Sequence, residues 1–131
     1  MKPMRISYDR HEPVTVTDVE ELDATLDAID NDPESREWPV IATISESGQR
    51  PMLQVLLGAP GWSTLLWTDR DRALEPAGDA RHDTSEPVNY GGHQTWLSEG
   101  CAISKDLARQ AVRGFAATGQ LPGGLRWRPR A

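Results

Sequence analysis

Val40-Ile41-Ala42-Thr43-Ile44, Ser47-Gly48-Gln49 and Met52-Leu53-Gln54-Val55-Leu56-Leu57 read in order as a strand, a turn and a second strand. Branched aliphatic residues fill both runs, and a glycine-containing turn between them is a hairpin signal. The second run is apolar at every position except Gln54. A strand with one wet face would alternate, so this pattern predicts the middle of a sheet, covered on at least one face. Trp62-Ser63-Thr64-Leu65-Leu66-Trp67 follows the Gly58-Ala59-Pro60-Gly61 turn and supplies a third strand. Antiparallel pairing of these three sets the frame.

Toward the N-terminus, Ile6-Ser7-Tyr8 and Val14-Thr15-Val16 alternate as short strands do. Thr17-Asp18-Val19-Glu20 then has the form of a capping box, with Thr17 as cap and Glu20 reaching back. Val19, Leu22, Leu26 and Ile29 recur at helical spacing, which predicts an amphipathic helix from about Asp18 to Asn31. Asp32-Pro33 stops it.

Toward the C-terminus, residues 69–86 are polar, carry both charges and lack periodicity, and they read as a long surface loop. Val88-Asn89-Tyr90 and Gln94-Thr95-Trp96-Leu97 surround Gly91-Gly92, a tight hairpin. Ser104 caps a second helix that carries Leu107, Ala111 and Phe115 beside Ala108, Val112 and Ala116, and Gly119 ends it. Gly114 inside that helix costs about 1 kcal/mol relative to alanine, which close packing against a neighbour would justify. Leu125-Arg126-Trp127-Arg128 adds a last short strand. The expectation is one α+β domain over residues 1–131, an antiparallel sheet of about five to seven strands with two helices packed on one face.

Charge is unevenly placed. Within residues 9–34, Asp9, Glu12, Asp18, Glu20, Glu21, Asp23, Asp27, Asp30, Asp32 and Glu34 face Arg10 alone, whereas Lys105, Arg109, Arg113, Arg126, Arg128 and Arg130 dominate the end. A net charge of −6 argues against a general nucleic-acid binder and suits a basic partner. No apolar run approaches the roughly 18 residues of a membrane span, and the first residues hold no signal-peptide core. Cys101 is the single cysteine, so no internal disulfide can form. A cytoplasmic protein is expected.

Catalytic signatures are missing: GxSxG, HExxH, a glycine-rich phosphate loop and CxxC do not occur. His11, His82, His93 and Cys101 lack metal-ligand spacing, so neither a metal nor a cofactor is expected. Cys101, just before the Ser104 cap, reads as a small core residue. His11-Glu12 and Asp79-Ala80-Arg81-His82-Asp83 are neighbours that composition alone produces. The tryptophans say more. Trp38, Trp62, Trp67, Trp96 and Trp127 stand beside one phenylalanine and two tyrosines. Tryptophan is over-represented at binding hot spots. Trp67 and Trp127, inside apolar strands, are expected in the core, while Trp62 at its turn and Trp96 in the hairpin are candidates for exposure.

The order of segments carries a resemblance. Arg5-Ile6-Ser7-Tyr8-Asp9 leads through Val14-Thr15-Val16-Thr17 to a helix with Glu20-Glu21-Leu22-Asp23. Tyr90-Gly91-Gly92-His93 follows the sheet, and Ala111-Val112-Arg113-Gly114-Phe115 leads to Thr118-Gly119-Gln120-Leu121-Pro122 and Trp127. Over nearly its whole length the chain resembles the first family of immunity proteins described for bacterial polymorphic toxin systems. Trp96-Leu97 stands where that family's pattern has an acidic residue followed by proline, and Leu121 where it commonly has arginine. The resemblance implies a small α+β protein that binds and blocks a cognate toxin, often a nucleic-acid deaminase such as the DNA cytidine type, without catalysis of its own.

Two surfaces are the expected contacts. The first is the acidic helix face with Asp18, Glu20, Glu21, Asp23, Asp27 and Asp30, which would complement a toxin's basic, nucleic-acid-facing surface. The second is the aromatic hairpin with Tyr90, Gly91, Gly92, His93 and Trp96, joined by Trp62. A competing reading is a small enzyme or ligand-binding domain with a cleft lined by His82 and His93 under the 69–86 loop.

Overall fold

A computed structural model of the chain describes residues 1–32, 38–78, 82 and 84–130. The Val40-to-Leu57 hairpin forms the expected centre. Strand β3 (Val40–Glu46) pairs antiparallel with β4 (Gln49–Leu57) from Val40 opposite Leu57 to Glu46 opposite Gln49. The sheet extends on one side through β1 (Met4–Tyr8) to β2 (Val14–Val16). On the other side it extends through β5 (Leu65–Thr68) and β6 (Ala73–Pro76) to β9 (Trp127–Pro129). A hairpin of β7 (Val88–Tyr90) and β8 (His93–Thr95) joins it through β3, where Val40 meets Asn89 in parallel and Asn89 N–H donates to the Pro39 carbonyl. The α+β class and the antiparallel sheet are as expected. Among the described residues the sheet has nine strands, more than the five to seven expected, and one of them, β6, lies inside the stretch read as a loop.

Side chains alternate across this sheet, and the two faces are built differently. Ile6, Ala42, Ile44, Leu53, Val55, Leu65, Trp67 and Leu74 point to one face, where both helices lie. Helix α1 (Val19–Asp30) contributes Leu22, Leu26 and Ile29, and helix α2 (Lys105–Thr118) contributes Ala108, Ala111, Val112, Phe115 and Ala116. Val19, the fourth member of the apolar line on α1, is instead exposed. Phe115 meets Trp67 edge to face at 5.6 Å, an arrangement that adds about 1 kcal/mol to simple area burial. The opposite face carries a smaller cluster of Ile41, Leu56, Ala59, Trp62, Leu66, Val88 and Ala102.

Helix ends follow elementary capping. Ser104 Oγ accepts from Leu107 N–H, and Gly119 closes α2 in the left-handed region with its N–H on the Phe115 carbonyl. On α1 the cap is Asp18, one residue later than the sequence reading: its carboxylate accepts from Glu21 N–H at 2.8 Å. Glu21, not Glu20, reaches back, accepting from Thr17 N–H and Thr17 Oγ1. The box therefore exists in a shifted register. The helix ends at Asn31, as expected, and Pro33, read as its stop, lies outside the described residues. A Cβ placed on Gly114 would meet open space, so close packing does not account for that glycine. No described helix is long and apolar enough to cross a membrane.

Candidate partner-binding site

The hairpin of β7 and β8 turns at Gly91 and Gly92, with φ of 60° and 88°, the positive pair that a two-residue turn of this hand requires. Asn89 Oδ1 accepts from Gly92 N–H at 2.8 Å and fixes the turn. A side chain at Gly92 would also crowd the exposed side chain of Arg10, which would have to move, while the positive φ is what calls for glycine here. The hairpin is tied to the sheet. Gln54, only 5% exposed on the helix-free face, donates through Nε2 to Thr43 Oγ1 at 2.9 Å and to Tyr90 Oη at 2.6 Å. Tyr90 therefore has its hydroxyl anchored in the sheet while part of its ring remains exposed. His93 is exposed, and Trp96, just beyond β8, is 58% exposed, the most exposed large apolar side chain described.

Tyr90 and Trp96 stand at the edge of a cavity of about 260 Å³, together with Leu66, Glu75, Cys101 and Arg130. Two remote strands shape its wall. Glu75 on β6 is nearly fully buried, and its carboxylate accepts from Arg128 Nε at 2.9 Å and Nη2 at 2.7 Å. Arg128 also donates to the Glu99 carbonyl, so one guanidinium holds β6, β9 and the segment before Cys101 together. A buried carboxylate demands such a partner. Cys101 is buried, as expected, and desolvation pushes its thiol above its ordinary pKa, so it is poorly suited to be a nucleophile. The sequence reading missed Glu75 and Arg130. The period-two recurrence of Arg126, Arg128 and Arg130 was the signal available for the second.

The other candidates are placed differently. Of the α1 acids, Asp23 pairs with Arg109 and Arg113, Asp27 with Arg109, and Asp30 with Lys105, at 2.9 to 3.4 Å. Asp30 also accepts from Gly58 N–H. Asp18 and Glu21 are exposed but serve the helix cap, which leaves Glu20 as the one of the six whose carboxylate has no partner among the described residues. Asp23 and Asp30 are half-buried, contrary to the expectation of an acidic face turned wholly to solvent. Trp62, expected to be exposed, is buried at 9% because Ser63 bridges to Ile103 and draws the turn under the segment ahead of α2. Its ring stacks against His82 at 5.6 Å. Neither His82 nor His93 lines the cavity described above. Asp79, Ala80, Arg81 and Asp83 lie outside the described residues. Among the described residues no group of three or more His, Cys, Asp or Glu side chains is arranged to hold a metal ion.

The hairpin, the anchored tyrosine and the exposed tryptophan form a surface with material for recognition. No curated protein matches the chain significantly. The family model described as immunity protein Imm1 matches residues 10–129, from the segment that packs on Gly92 to the last strand of the sheet. The chain therefore belongs to the Imm1 family of immunity proteins.

Proposed function

We propose that the chain neutralises a cognate bacterial toxin by binding it through the helix-free face at the β7–β8 hairpin, and that the toxin is a nucleic-acid deaminase. The observation that carries the choice of face is the 58% exposure of Trp96 beside the cavity. A large rigid aromatic left in water costs hydration free energy that a partner recovers, and such side chains dominate binding energetics. Tyr90 is pre-set by Gln54, so little ordering is lost when the surface is covered. His93 and the Gly91-Gly92 turn complete the patch, the small glycines allowing close approach. A deaminase holds a flipped base in a pocket and tracks phosphates with basic residues, so covering its entrance blocks it without chemistry. The net charge of −6 attracts such a surface at long range in the cytoplasm. The acids of α1 act mainly within the fold, because Asp23, Asp27 and Asp30 are paired with bases of α2.

Co-expression tests this reading. Cells producing the toxin domain encoded beside this chain survive with the wild-type protein and die with Trp96→Asp, although the variant accumulates normally. Uracil or hypoxanthine accumulating in nucleic acid of the unprotected cells identifies the deaminase. Survival with Trp96→Asp contradicts the choice of face, and nucleic acid without deaminated bases contradicts the choice of toxin.

A further inference from the structure

The cavity beside Trp96 is asymmetric in charge. Two residues of fixed charge line it, Glu75 and Arg130, and the first is neutralised from behind, its carboxylate bound by Arg128. The second, Arg130, follows β9, where its N–H pairs with the Ala73 carbonyl and continues the ladder with β6. Arg130 lines the cavity, and its guanidinium has no hydrogen bond or ion pair among the described residues. Arg128 and Arg130 share a face of the strand because side chains two apart point the same way. Leu66 and Leu97 supply apolar wall, Thr95 and Ser98 supply hydroxyls, and the Trp96 indole stands at the edge.

Resting on the hairpin reading above, we infer that this cavity is a socket for an acidic side chain of the protein partner. Its carboxylate pairs with Arg130, and its methylene stem lies between Trp96 and Leu66. Charge complementarity selects the occupant. An unpaired guanidinium presents a planar fork that matches a carboxylate in two parallel hydrogen bonds. A basic side chain would meet Arg130 with like charge, and Glu75 is already taken by Arg128. The inference also divides the electrostatics of association: the net charge of −6 draws in a basic toxin, and one local cation sets its register through an acid on that toxin.

Two measurements on the intact protein test this. In an isotope-labelled sample, the Trp96 indole N–H and Arg130 Nε–H signals are followed while N-acetyl-glutamate methylamide, its glutamine counterpart or a short single-stranded oligonucleotide is added. The expected result is saturable movement of both signals with the glutamate probe alone, abolished by Arg130→Gln. Equal movement with the glutamine probe, no movement with the glutamate probe, or tighter binding of the oligonucleotide would overturn the inference. With the toxin domain encoded beside the chain, Arg130→Glu lowers affinity by roughly tenfold or more and Arg130→Lys by much less. If Trp96→Ala weakens the complex and Arg130→Glu does not, the socket is wrong and the binding face stands. If neither substitution matters, the face itself is wrong.

Discussion

The helix-covered face and the helix-free face of the same sheet use the same alternation of side chains toward opposite ends. On the first, Ile44, Leu53, Leu65 and Trp67 meet Leu22, Leu26 and Phe115 in a dry layer, sealed at its edge by the ion pairs between α1 and α2. On the second, Thr43, Gln54 and Glu75 take the equivalent places, each hydrogen-bonded, and the cover is a hairpin with an exposed tryptophan. Apolar burial on one side supplies the stability that lets the other side keep polar groups and unburied aromatic area. One face holds the larger apolar core, and the other, with its smaller cluster, is the face proposed above to meet the partner.

The largest expected effect that sharpens this division is on the helix side. Phe115→Ala empties the centre of the dry layer and should lower the free energy of unfolding by about 3 to 5 kcal/mol in denaturant titration. On the free face, Trp96→Ala should cost roughly 2 kcal/mol or more of toxin binding by calorimetry while the melting curve stays put. A variant that instead melts early would break the comparison, because Trp96 would then belong to the core. Asp23→Lys, which sets a third cation against Arg109 and Arg113, should lower stability by about 1 kcal/mol and leave toxin affinity nearly unchanged. Gly114→Ala should raise stability by about 0.5 to 1 kcal/mol, since the helix is regular there and the space is open.

A pH effect separates one loop from both faces. Asp69 accepts from the Trp67 indole N–H, from the amides of Asp71 and Arg72, and from the Arg72 guanidinium. These bonds, the indole one first, hold its carboxyl well below the usual carboxylate range. A depressed folded-state pKa contributes stability above the unfolded value, near 4, that is lost as pH falls toward the folded one. The stability gap between the wild type and Asp69→Asn should accordingly narrow as pH drops below about 4.

Much of the helix side was legible because its causes are local. Spacing of Leu22, Leu26 and Ile29, the Ser104 and Gly119 caps, and the Val40-to-Leu57 hairpin all depend on neighbours within a few residues. The register of the α1 box slipped by one because Thr17 and Asp18 are both good caps, and only geometry chooses between them. The free face was harder to read for a physical reason. β6 has one strongly apolar inward residue, Leu74, and beside it stand a buried proline and a buried glutamate whose partner, Arg128, comes 53 residues later. A charge satisfied at that distance looks like loop in any local window. The same holds for α1, whose acids looked like a surface field until α2 brought Lys105, Arg109 and Arg113 opposite them. The hairpin was legible at its glycines, but the anchoring of Tyr90 by Gln54, 36 residues away, was not.

Hydrogen–deuterium exchange of the protein alone and in complex with its toxin tests the central claim most directly, because it reports both faces in one experiment. The account predicts slowed exchange over residues 88–97 and 128–130, with α1 and the exposed side of α2 unchanged. Protection confined to residues 18–31, with the hairpin exchanging as in the free protein, would contradict it.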